Sequence, residues 1–71
     1  MRTKLDLHGV RHAEVDRMVE NFILLNQKNF PLEIICGNSN KMIALVTRVA
    51  RRLGCETSFK NYGSIVIRGW I

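Results

Sequence analysis

The 71-residue chain predicts a two-layer α/β domain of order β-α-β-α-β-β, and three patterns carry that expectation. Two segments repeat apolar residues at helical spacing, a short isoleucine-rich run lies between them, and the tail holds two extended segments around NYGS. Right-handed crossovers then make the first two strands parallel and put both helices on one side of the sheet. The tail closes as an antiparallel hairpin.

The first strand is LDLHG, residues 5 to 9. A strand turns successive side chains to opposite faces, so Leu5 and Leu7 share one face and Asp6 and His8 the other. In the next segment Val15, Met18, Val19, Phe22 and Leu25 form an apolar stripe, with Glu14, Asp16, Arg17, Glu20 and Asn21 between them. Asp16 and Glu20 suit the positive end of that helix and Lys28 its negative end, with Asn29 and Pro31 stopping it. PLEIIC is the second strand, and GNSN breaks it with turn and cap residues. From Lys41 to Leu53 the stripe is Met42, Leu45, Val46, Val49 and Leu53, with Lys41, Arg48, Arg51 and Arg52 outside it. Gly54 stands where a helix ends in a left-handed residue.

A chain of this length is one domain, residues 1–71, and buries only roughly 60% of its unfolded surface. With 46% hydrophobic residues it is a folded globule and not a disordered tail. No apolar stretch has membrane-spanning length and no signal-like segment opens the chain. Two cysteines, Cys36 and Cys55, make neither a disulfide framework nor a zinc spacing, so they read as free thiols in a reducing, cytoplasmic setting. The net charge of +5 is placed on one side. Residues 1–36 hold five basic and five acidic side chains, whereas residues 37–71 hold six basic ones against Glu56 alone. Such a surface attracts polyanions, and it also serves plain solubility.

LDLHG ahead of an amphipathic helix, followed about thirty residues later by an apolar strand ending in IICGNSNK, resembles the Smr (small MutS-related) domain over nearly the whole chain. The resemblance implies a fold like the carboxy-terminal domain of bacterial initiation factor three. It also implies nucleic-acid binding and, in many members, endonuclease activity on DNA or on RNA, including ribosome-associated messenger RNA. Asp6 and His8 match the family's acid and histidine. Its second motif, a His or Thr followed by Gly, a basic residue and Gly, falls on Cys36 to Ser39. There only Gly37 is kept, since Asn38 replaces the basic residue and Ser39 the second glycine. The change removes a phosphate contact and limits close backbone approach to a ligand. Little precedes the first strand, where the family often has an extension, so the chain reads as minimal or trimmed.

Ligands of parallel α/β arrangements bind beyond the carboxyl ends of the strands, an edge that LDLHG and IICGNSNK both reach. The start of the second helix offers backbone N–H groups to an anion beside Lys41, with His8 near it. The expected chemistry is phosphodiester cleavage, His8 acting as general acid or base and Asp6 orienting it. A divalent cation such as Mg2+ on Asp6 is the other option, although one carboxylate and one histidine are few ligands. Gly37, Asn38, Ser39, Asn40, Lys41, Arg11, Arg48, Arg51 and Arg52 are the expected nucleic-acid contacts. Arg48, Arg51 and Arg52 read most simply as the wet face of a helix, and their lack of neighbouring acids in sequence opens phosphate contacts as the other reading.

Other readings stand beside these. Without the resemblance, Asp6 and His8 are more simply solvated polar residues, and the altered loop favours a binding module that no longer cleaves. His12 reads as a cap or surface residue, Cys36 as packing at a strand end, and Trp70 as a base-stacking ring or a cover for the sheet. Val66, Trp70 and Ile71 on the terminal strand would leave an apolar edge open to a second copy.

Overall fold

The computed structural model describes residues 3–61 and 63–71. Six elements follow the expected order: β1 (Thr3–Asp6), α1 (His12–Leu25), β2 (Leu32–Ile35), α2 (Asn40–Leu53), β3 (Cys55–Asn61) and β4 (Ser64–Trp70). The sheet runs β1-β2-β4-β3. β1 and β2 are parallel, and β4 is antiparallel to both of its neighbours. The NYGS hairpin therefore forms, with Tyr62 of that turn outside the described residues.

Both helices pack on the same face of the sheet, because their buried side chains enter one cluster with one strand parity. Val15, Val19 and Ile23 of α1 and Met42, Val46, Val49 and Ala50 of α2 meet Leu7, Leu32, Ile34, Cys36, Cys55, Ile65 and Ile67. The other face carries the opposite parity. Lys4 is in register with Glu33, Glu33 with Val66, and Val66 with Ser58, while Asp6, Ile35 and Ser64 form the next row. Among the described residues no helix covers that face. Among the described residues no helix is long and apolar enough to cross a membrane.

The α1 stripe differs from the expected one at its end. Ile23 is fully buried, whereas Leu25 is 82% exposed. At about 100° per residue, Ile23 lies about 40° from Val19 and Leu25 about 120° away, so the core meets the former. The helix also stops sooner than Asn29. Asn26 is its C-cap, and its side-chain amide donates to the Phe22 carbonyl at 2.8 Å, which leaves Lys28 outside the helix and the last turn without a basic residue. At the other end the first-turn acid is Glu14, while Glu20 sits mid-helix and receives Arg52. Arg11 is the N-cap without a side-chain bond, and His12 is exposed as the first helical residue.

α2 closes as expected. Ser39 Oγ accepts from the Met42 N–H at 3.1 Å, and Gly54 is left-handed at φ 86°. The terminal strand leaves no open edge, because β4 lies between β2 and β3, with Val66 buried. A bulge at Arg68 shifts the β3–β4 register, which places Trp70 opposite buried Cys55. Its ring there meets Phe30 edge-on at 5.6 Å between centroids, closing one end of the core.

Candidate nucleic-acid interface

The site is built at the carboxyl ends of β1 and β2. The Leu7 N–H donates to the Ile35 carbonyl at 2.9 Å, extending the parallel pairing one residue past β1 and delivering His8 beside the loop after β2. Gly37 (φ 68°) makes the close approach possible. A Cβ at that position would stand 2.9 Å from His8 Nε2, so the imidazole lies directly over the glycine.

Asp6 and His8 form a compact pair. Asp6 Oδ1 accepts from the His8 backbone N–H at 2.9 Å and lies 2.6 Å from His8 Nδ1. The backbone bond, and after it the ring bond, hold the Asp6 carboxyl below its ordinary value of 3.8. The carboxylate therefore stays charged and faces His8 Nδ1, while Nε2 lies on the Gly37 side of the ring. Both side chains are open to solvent, at 65% for His8 and 60% for Asp6.

A third segment fixes this arrangement. The Gly63 carbonyl, at the β3–β4 turn, accepts from both Cys36 N–H at 2.6 Å and Gly37 N–H at 3.1 Å. Gly63 is buried at φ 99°, and a Cβ on it would stand 2.7 Å from the Gly37 carbonyl oxygen. Three chain turns thus converge on Gly37, and His8 rests on the result. NYGS reads in the sequence only as a turn, and the role of Gly63 arises from β4 lying beside β2, a pairing the hairpin expectation does not contain.

The remaining candidates divide by distance. Asn38, Ser39, Asn40 and Lys41 belong to the same edge, with Asn38, Asn40 and Lys41 exposed and Arg11 exposed three residues after His8. Ser39 Oγ already occupies the Met42 N–H, so the chain itself fills one donor of the helix start. Arg48 is exposed about halfway along α2. Arg51 and Arg52 lie in its last turn, roughly 18–20 Å from Ser39 at 1.5 Å per residue, so they do not join the edge. Arg52 also has an acid beside it, since its Nη2 donates to Glu20 Oε1 at 2.9 Å, against the expectation from its sequence neighbours.

Cys36 is buried, and burial pushes its thiol up to about 11, which makes it packing and not a nucleophile. Among the described residues no three His, Cys, Asp or Glu side chains gather to hold a metal ion. Asp6 Oδ1 accepts two hydrogen bonds, both from His8. Compared with known proteins, the chain matches no family model, no curated sequence and no solved structure.

Proposed function

We propose that this chain is an Smr-like nucleic-acid-binding domain, with the fold of the carboxy-terminal domain of initiation factor three, that cleaves phosphodiester bonds through His8. The observation that supports this most is the 2.6 Å contact between Asp6 and His8 Nδ1, with Nε2 placed over Gly37. A carboxylate that holds one ring proton leaves the second nitrogen to act as a base near neutral pH. Nε2 takes the proton from the attacking oxygen, the 2′-hydroxyl of RNA or a water, as that oxygen bonds to phosphorus. The bond from phosphorus to the departing ester oxygen then breaks, and that oxygen gains a proton from water or the imidazolium. Lys41 at the same edge and Arg48 along α2 attract the phosphates, on a helix that carries no acidic residue.

A non-catalytic binding module is the second reading, favoured by the Ser39 cap, which uses a helix-start N–H that a phosphate would otherwise meet. Incubating the purified chain with end-labelled single-stranded RNA and with nicked and supercoiled DNA, with and without EDTA, separates the two. Cleavage supports the nuclease and identifies its substrate and metal requirement. Salt-sensitive binding without cleavage supports the module, and no binding to any of these polymers sinks both.

A further inference from the structure

The helix-free face of the sheet holds a groove of about 390 Å³ lined by Pro31, Ser58, Phe59, Lys60, Val66 and Arg68. We infer that this groove takes one phosphate-bearing nucleotide of a single-stranded polynucleotide whose neighbouring segment lies at His8, an inference that rests on the nucleic-acid reading above.

Three observations converge on it. Asp6 lies on that same face, because it is in register with Ile35 and Ser64, so the edge and the groove share one continuous surface. Arg68 lies four steps along β4 from Ser64, about 13 Å of strand. The groove lining contains two cations and no carboxylate. Glu33 beneath it is 4% exposed and is met by Lys60 Nζ at 3.3 Å, whereas Arg68 makes no ion pair among the described residues. Lys4, in register with Glu33, adds a further exposed cation on this face, and exposed Glu56 lies outside the lining. The volume is at the small end of ligand pockets, suited to one nucleotide.

A polynucleotide crossing the edge at His8 would then have cations on both sides, Lys41 and Arg48 along α2 on one and Arg68 with Lys4 on the other. A phosphate at Arg68 gains a bidentate partner, and the Val66 floor accepts apolar ligand surface.

The test is fluorescence anisotropy of a labelled single-stranded oligonucleotide and its duplex across a salt series, with wild-type protein and the Lys4→Gln/Arg68→Gln variant. Lys60 is kept because it answers the buried Glu33 charge. Each lost single-strand phosphate contact lowers the slope of log K against log salt by about 0.7, so the variant should lose about 1.4. Amide shifts of Ser58 and Val66 on adding the oligonucleotide should follow the same titration. Unchanged slope and affinity in the variant, while the wild type still binds and cleaves, would overturn the groove and leave the nuclease reading intact. Equal losses on duplex and single strand would overturn the single-stranded assignment. If the wild type binds neither polymer, the nucleic-acid reading and the groove fall together.

Discussion

Replacing Gly63 by Ala tests how the site is held. Two costs add at this position. A left-handed backbone costs an L residue roughly 1–2 kcal/mol, and forcing a methyl into a packed site costs roughly 1–3 kcal/mol more. Here the obstacle is the Gly37 carbonyl oxygen at 2.7 Å with its carbon at 3.1 Å, and main chain cannot swing aside as a side chain does. The total is about 3 kcal/mol, a large share of the roughly 4–11 kcal/mol expected for a domain of this size. Gly54 supplies the control, because it has φ 86° but nothing within 4 Å of an added Cβ. Gly54→Ala should therefore cost about 1–2 kcal/mol, the backbone part alone. Urea unfolding followed by far-ultraviolet circular dichroism, with the m-value checked for constancy, measures both. Equal losses at the two positions would refute the claim that Gly63 seats the Gly37 loop by direct contact.

Four further outcomes follow from the same geometry. Gly37→Ala should destabilise about as much as Gly54→Ala, because its obstacle is the solvent-exposed His8 ring, yet it should depress cleavage by moving that ring; unchanged cleavage would separate Gly37 from the imidazole. The Asp6 carboxyl should titrate below 3.8 by carbon-detected NMR, so its stabilising contribution is present above its unfolded value and lost only as pH falls through the lower folded one. A midpoint at or above 3.8 would mean the His8 bonds do not persist in solution. Cys36 should resist thiol reagents in the folded protein at pH 8 and react once urea unfolds it; because burial raises its thiol from 9.0 to about 11, its contribution to stability fades across that interval as pH rises. Rapid labelling of the native protein would contradict this. Ile23→Ala should cost about 2–5 kcal/mol and Leu25→Ala less than about 0.5 kcal/mol, and a reversal would restore the stripe read from sequence.

Where sequence and structure agree, a strong local pattern meets a tertiary demand of the same period. The α2 stripe, a cap within GNSN, the Gly54 cap and the parallel start of the sheet were legible for that reason. The α1 terminus was not, because Asn26 ends the helix through its own amide, a side-chain bond that competes with Asn29 and Pro31 without leaving a periodic trace. At the site, alternation in LDLHG placed Asp6 and His8 on one face, and the crossover rule brought Gly37 to the same edge. Neither could reveal Gly63, whose role depends on β4 returning between β2 and β3, a non-local pairing. The same long-range packing assigned Arg52 to Glu20, thirty-two residues away in sequence, and gave Trp70 to Phe30.

The central claim is that His8 moves the proton during cleavage. It is tested most directly by single-turnover cleavage of the best-cleaved end-labelled substrate by wild type and His8→Ala, with binding of an uncleaved analogue measured on both. General acid–base work contributes typically 10²–10⁴-fold, so the variant should lose at least about 100-fold in rate while its affinity changes by no more than about twofold. Cleavage by His8→Ala at the wild-type rate would contradict the account and remove His8 from the chemistry.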